Sequence, residues 1–360
     1  MTEVAVLGAG AGGLSTAVEL TLAGHEVHLW NRHDHALAPY LQDRTIPYTG
    51  VLGDASVQVE AMTTDLRVCV HGADAVVVSL PALAHARLFA DLAGLSCAVP
   101  ILLNPGHTGG ALHARAIFQH HAVALPPIAE FSTLLYVART TSEGVRITNR
   151  AGQVRCAGLP GAEAAIAVAI ALFPGLRIER DVLATSLSNV NMVLHPPGAI
   201  LAAAWVEAPH QSFTFYVDAL TPGVARVIEI LDAERRKLAA RFGHDLPSLI
   251  DEMALVGTAS LDAVASRDIV AAIREGEANR TILAPDSLGH RYYEEDLPYG
   301  LAPLVTLAEV AGAAVPMARA LLTVGDGLLG RDLLATGLGR RELGIEGLDY
   351  NGLMVLVGGS

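Results

Sequence analysis

The sequence predicts an α/β domain built on a doubly wound parallel sheet, followed by a mainly α-helical domain. Three observations predict it. An apolar strand runs into a glycine-rich turn and a helix at the N-terminus. Strand and helix patterns alternate behind it. Beyond about Asp181 the texture changes and long helical patterns dominate. Alternating strands and helices favour a parallel sheet, whose strands are buried on both faces.

The elements follow in order. Residues 3–7 (EVAVL) read as a buried strand, Gly8 to Gly13 as the turn, and LSTAVELTLAGH as the helix after it. EVHLW is a second strand that ends at Asn31-Arg32. ADAVVVSLP, VPILLNP and a segment near PIAEF supply later strands, and EGVRITNRAGQVRCAGLP reads as an antiparallel excursion around Gly152. VARVIEILDAERRKLAARFG, LAPLVTLAEVAGA and MARALLTVGDGLL are helical. The expected division is a dinucleotide-binding Rossmann domain over 1–180 and a helical substrate-binding and catalytic domain over 181–360.

Composition narrows the function classes. A chain of 360 residues with 52% hydrophobic content can bury a large core in two domains. A net charge of -13 without a basic block argues against nucleic acid or an anionic membrane as partner. Cys69, Cys97 and Cys156 show no metal-ligand spacing, so no metal site is expected, and their odd number fits a reduced, cytoplasmic compartment. The chain opens on a strand pattern, so no signal peptide is expected, and its longest apolar run, AAIAVAIALF, is too short to span a bilayer.

Gly8, Gly10 and Gly13 form GxGxxG between strand and helix. The first allows the tight turn, the second lets the backbone approach a pyrophosphate, and the third lets helix and strand pack closely. With Ala11 and Gly12 they place a helix N-terminus against the phosphates of NAD(H) or NADP(H). NAD-preferring versions carry an acidic residue about 20 residues on, at the end of the second strand. Here that place holds Asn31-Arg32. Asparagine does not repel a 2′-phosphate and arginine can pair with one, so NADP(H) is favoured over NAD(H). The alternative is that Arg32 stacks on adenine or faces water.

A dehydrogenase also needs a group that moves the proton. Several two-domain dehydrogenases use a lysine. The sole lysine here, Lys237, stands in the charged run DAERRKLAARFG and reads as solvent-facing. Histidine is suited to the task because its ordinary pKa lies near ~6.5. His195 differs from the expected surface histidines His33, His35, His120 and His121 by its apolar flanks in TSLSNVNMVLHPPGAIL. A hydrogen-bonded core histidine is the plainer alternative. A second polar cluster, HRYYEEDLPYGLAP, holds Arg291, Glu294, Glu295 and Asp296. It is either a solvated acidic loop or a source of a carboxylate for His195 and a guanidinium for a substrate carboxylate.

The glycine loop, LLNPGHTGGAL, TSLSNVNMVLHP, YVDALTPGV and RYYEEDLPYGL together resemble the opine dehydrogenase family over nearly the whole chain. The resemblance implies reductive condensation of a 2-keto acid, often pyruvate, with the amino group of an amino acid through an imine. It implies His195 as catalytic histidine, Asp296 as its partner and Arg291 as the group holding the keto acid carboxylate. Ser79, and Asn104, Pro105 and Gly106 with Thr108 and Gly109, fall at strand ends where open α/β sheets bind ligands. Glu130, Ser132 and Thr133 in AEFSTLLY are candidates for the amino acid, and Asn191 for the keto acid or for holding His195. His107 stands where relatives often carry a small residue, and Pro197-Gly198 follow the histidine closely; both bear on substrate identity. A homodimer is expected by the same resemblance. Two other readings stay open: a simple 2-keto acid or imine reductase on this scaffold, and a non-catalytic dinucleotide-binding regulator.

Overall fold

The computed structural model describes residues 1–208, 212–275 and 277–358. It resolves into two compact units, one of residues 1–106 and 117–182, the other of 107–116 and 183–360. Residues 107–116 thus group with the helical unit, and the division is not a single cut at 180.

The first unit contains all the strands: β1 (Glu3–Leu7), β2 (Glu26–Trp30), β3 (Thr45–Gly50), β4 (Ala55–Gln58), β5 (Ala61–Thr63), β6 (Ala75–Val78), β7 (Ile101–Leu103), β8 (Ile128–Phe131), β9 (Tyr136–Thr141), β10 (Gly144–Arg150), β11 (Arg155–Gly158) and β12 (Arg177–Ile178). The main sheet has the order β12-β11-β8-β7-β6-β1-β2-β5. The six strands from β8 to β5 are parallel, and β11 joins β8 antiparallel. Counted among themselves, those six have the order 3-2-1-4-5-6 of a dinucleotide-binding sheet, with the switch point between β1 and β6. Val4–Leu7 and Ala75–Val78 are all fully buried, as strands covered on both faces require.

A second sheet has the order β4-β3-β10-β9. The sequence suggests a local excursion around Gly152, but the two segments flanking that glycine part company. β10 pairs with β9 and with the distant β3, while β11 crosses to the main sheet. The tight hairpin lies earlier, between Thr141 and Gly144.

The second unit is helical. The helix Asn191–Leu201 carries His195 and keeps both Pro196 and Pro197 inside it. Each proline removes one backbone N–H, so the carbonyls of Met192 and Val193 lose their i+4 partners. Two π-helical turns, Phe215–Ala219 and Leu297–Leu301, pack against this helix. Glycines permit both approaches. A Cβ on Gly198 would stand 2.8 Å from Phe215, and one on Gly300 would stand 2.9 Å from Met192.

The helix Pro222–Arg241 braces the segment ahead of His195. Its charged run is not simply a solvated face. Lys237 is exposed as expected, but Asp232, Glu234 and Arg235 are buried. The Arg235 guanidinium donates to Asp232 Oδ1 at 2.7 and 2.9 Å, and to the carbonyls of Leu187 and Pro247 at 2.9 and 2.7 Å. Glu234 accepts from the backbone N–H groups of Met317 and Ala318, at the start of the helix Pro316–Leu329. A carboxylate there meets unpaired amides and the positive end of the helix dipole.

Candidate active site

In the first unit the glycine turn joins β1 to the helix Ala11–Leu22. Gly8 has φ +120°, and its N–H donates to the Trp30 carbonyl at 2.8 Å. A Cβ on Gly13 would lie 1.7 Å from the Gly8 carbonyl oxygen, so only glycine lets helix and strand close here. Gly12 faces Leu134. Gly10, by contrast, has no heavy atom within 4 Å of where its Cβ would be. No side chain caps the helix that starts at Ala11, and its first turn holds no acidic residue. Open backbone at Gly10 and uncapped amides fit a bound pyrophosphate.

The other cofactor candidates lie in this same unit. Asn31 Oδ1 accepts from the Ala9 N–H at 3.2 Å, and its Nδ2 donates to the His33 carbonyl at 3.0 Å. Its side chain therefore fastens the glycine turn to the end of β2. Arg32 is exposed, and its Nε donates to His33 Nε2 at 3.2 Å. Ser79 Oγ lies 3.4 Å from Thr16 Oγ1, at the switch point after β6. Asn104 is fully buried; its Nδ2 donates to Thr16 Oγ1 and its Oδ1 accepts from the Leu135 N–H. That amide is engaged in the fold, which leaves the Asn104-Pro105-Gly106 backbone as the ligand-facing part of this stretch. Gly106 donates to the Phe131 carbonyl, and a Cβ on it would stand 2.6 Å from Glu130. Glu130 and Ser132 are buried and Thr133 is partly exposed beside them.

In the second unit the structure joins the two polar clusters. His195 Nδ1 lies 2.8 Å from Asp296 Oδ2, with both side chains almost wholly buried. A carboxylate accepts only, so Nδ1 carries the proton and Nε2 is the exchangeable position. The Tyr216 hydroxyl lies 2.8 Å from Nε2 and donates to it when the ring is neutral. The Tyr292 ring stacks on the imidazole with centroids 4.1 Å apart and an interplanar angle of 28°. Tyr216 comes from the first π-helical turn; Asp296 immediately precedes the second, and Tyr292 belongs to the short helix Arg291–Glu294. Such turns are rare and recur at functional sites.

Arg291 is half-exposed and pairs with the buried Glu295 at 3.0 Å. Burial works against its charge, but the carboxylates of Glu295 and Asp296 more than offset this and raise its pKa. Glu295 also lies 3.5 Å from His107 Nε2. Asn191 is partly exposed one turn before His195, on the same helix face. Asn189, buried below it, donates to Thr108 Oγ1 at 3.1 Å, and Ser186 Oγ accepts from the Gly109 N–H at 3.0 Å. His290 caps the Arg291–Glu294 helix, and its pKa is lowered by burial first and then by Arg291 and His195.

Burial pushes the thiols of Cys69 and Cys156 up to about 12 and raises that of Cys97, so none is a ready nucleophile. Among the described residues no cluster of His, Cys, Asp or Glu could hold a metal ion. Tyr216, Tyr292 and Glu295 have no role in the sequence reading. Both tyrosines stand in the quoted stretches YVDALTPGV and RYYEEDLPYGL, but a lone aromatic in an apolar run reads as core.

Comparison with known proteins decides the family. Residues 178–329 match the NAD/NADP octopine/nopaline dehydrogenase, alpha-helical domain, and residues 4–126 match the ketopantoate reductase PanE/ApbA family. The chain is 32% identical to an opine dehydrogenase from Arthrobacter sp. (strain 1C), over 97% of both chains. The chain belongs to the opine dehydrogenase family. This opine dehydrogenase family member also shares its fold with solved structures. One is octopine dehydrogenase in complex with NADH and agmatine, with TM-score 0.78 and 20% identity over 100% of this chain and 99% of that one. Another is NADP+-bound yersinopine dehydrogenase, with TM-score 0.75 and 15% identity over 96% and 97%. No helix among the described residues is long and apolar enough to cross a membrane.

Proposed function

We propose that the chain condenses a pyruvate-like 2-keto acid with the amino group of an amino acid and reduces the resulting imine at the expense of NAD(P)H. It is an NAD(P)-dependent oxidoreductase acting on CH–NH bonds. The observation that carries the division of labour is the buried Asp296–His195 pair at 2.8 Å. When bound, the nicotinamide supplies the hydride. Gly8, Gly10, Ala11, Gly12 and Gly13 would hold its pyrophosphate, with Ser79 and the Asn104-Pro105-Gly106 backbone at neighbouring strand ends. Asp296 keeps His195 in one tautomer and stabilises the imidazolium, so that His195 can take a proton from the ammonium and give one to the departing oxygen. Arg291, held charged by Glu295, binds the keto acid carboxylate. Asn191 supports that end, and Glu130 and Thr133 are assigned to the amino acid.

The test is a product search. The protein is mixed with NADPH, pyruvate and a pool of amino acids, with His195→Ala in parallel. A product mass equal to amino acid plus pyruvate, minus water, plus two hydrogens supports the reading. Cofactor oxidation that needs only the keto acid overturns it in favour of a simple keto acid reductase.

Arg32, with no acid at the end of β2, favours NADP(H). A charge-assisted contact contributes about 1.5–3 kcal/mol. Arg32→Ala is therefore expected to lower kcat/KM for NADPH by roughly 10–100-fold and leave that for NADH nearly unchanged. Steady-state kinetics with both cofactors check this, and equal losses would refute it. We also infer a homodimer, which light scattering showing only monomer would refute. Three buried free thiols support a reducing cytoplasm as its location; recovery from an oxidising compartment would refute that.

A further inference from the structure

We propose that Tyr216 is the proton relay of His195, with Tyr292 behind it. The proposal rests on the reading of His195 as the acid–base group. Both imidazole nitrogens are engaged inside the helical unit, Nδ1 by Asp296 and Nε2 by the Tyr216 hydroxyl, each at 2.8 Å. The Tyr292 ring covers one face. A proton entering or leaving Nε2 therefore meets the Tyr216 hydroxyl. A hydroxyl both donates and accepts, so it can take a proton from Nε2 while passing its own onward. The Tyr292 hydroxyl lies 3.3 Å from that of Tyr216 and extends the chain of exchangeable protons.

The chemistry calls for such a path. A C–N bond forms between the ammonium nitrogen and the keto carbon, and the C–O bond breaks. The ammonium starts with three protons on nitrogen. The neutral secondary amine keeps one, and two leave on the oxygen as water. The hydride that arrives at carbon balances the charge. Two protons thus move from nitrogen to oxygen in each turnover, and one imidazole carries one at a time. His195 must be loaded and unloaded repeatedly while Asp296 keeps hold of Nδ1. Tyr216 provides that exchange without breaking the Asp296 contact.

The packing holds Tyr216 in place for this. Its neighbour Phe215 lies against Gly198 of the histidine's own helix, and the Phe215 and Tyr292 ring centroids are 4.5 Å apart. A phenylalanine at 216 keeps the ring and removes only the hydroxyl.

The experiment uses the full chain with NADPH, a fixed pool of amino acids and varied pyruvate, comparing Tyr216→Phe, Tyr292→Phe and His195→Ala with wild type. General acid–base groups contribute about 10²–10⁴-fold, and a relay should account for part of that. Tyr216→Phe is expected to lower kcat by roughly 10–100-fold with KM for pyruvate within about threefold. Its pH profile should shift, and added imidazole should restore part of kcat. Tyr292→Phe should show a smaller loss in the same direction. Wild-type kcat in both tyrosine variants overturns the relay, because the hydroxyl then merely gives way to substrate. A rise in KM with kcat intact overturns it too, because the hydroxyl then binds rather than transfers. Wild-type turnover in His195→Ala would instead overturn the underlying reading of His195.

Discussion

His195→Ala is expected to lower kcat for opine formation by about 10³-fold, equivalent to about 4 kcal/mol of transition-state stabilisation. The substitution removes the exchangeable Nε2 and leaves Asp296, which is 3% exposed, without its imidazole partner. Asp296→Asn separates the two effects. Asparagine fills the same space but can donate to Nδ1, which favours the wrong tautomer and withdraws the charge that stabilises the imidazolium. A loss between about 10²- and 10⁴-fold in kcat is expected there. KM for either substrate should change far less than kcat in both variants, since the lost interaction is one made in the transition state. Initial rates of product formation, followed by mass as well as by cofactor absorbance, check this. Asp296→Asn with wild-type kcat would reduce the buried pair to a structural contact.

The sheet and the glycine turn were legible because their causes are local. β1 and β6 are continuous apolar runs, as strands buried on both faces must be, and Gly8 and Gly13 sit where a Cβ would strike backbone. The second sheet was not legible. β3 and β4 are short, partly polar strands, and β3 finds β10 about a hundred residues away, a pairing that no local pattern encodes. The excursion around Gly152 misleads for the same reason, because β10 and β11 are neighbours in sequence that belong to different sheets.

The candidate site divides similarly. The polarity of His195, Arg291 and Asp296 within apolar or aromatic surroundings is visible in sequence. Their distances are not. Nothing local says that helix Asn191–Leu201 and the turn Leu297–Leu301 touch; that depends on the small side of Gly300 against Met192. Tyr216 is hidden further, because a buried tyrosine and a buried phenylalanine give the same pattern until the hydroxyl's partner is known. The run DAERRK misleads in the opposite direction. Its charges look solvated, yet Arg235 is fully buried and fastens the carbonyls of Leu187 and Pro247.

Gly13→Ala and Gly10→Ala should separate folding from cofactor binding within one turn. In Gly13→Ala the new Cβ would meet the Gly8 carbonyl oxygen at 1.7 Å and its carbon at 2.7 Å. Gly8 cannot retreat, because a Cβ at its own position already falls 2.5 Å from the Ser79 carbonyl oxygen and its N–H is bonded to Trp30. The start of the helix Ala11–Leu22 must therefore move outward, carrying the amides that would face the pyrophosphate. Overpacking of this kind costs about 1–3 kcal/mol, which lowers Tm by roughly 5 °C in a unit of this size. Displacing ligand-facing amides by about 1 Å should raise the NADPH Kd by about 100-fold or more. Gly10→Ala differs. Its φ of -80° suits alanine, and no protein atom stands within 4 Å of the new methyl group. Its Tm should match wild type, while the methyl group obstructs the backbone face assigned to the pyrophosphate and weakens NADPH binding. Thermal unfolding and fluorescence titration with NADPH read both effects. Unchanged Kd in Gly10→Ala would place the pyrophosphate elsewhere, and wild-type Tm in Gly13→Ala would mean that the turn yields where its contacts say it is held.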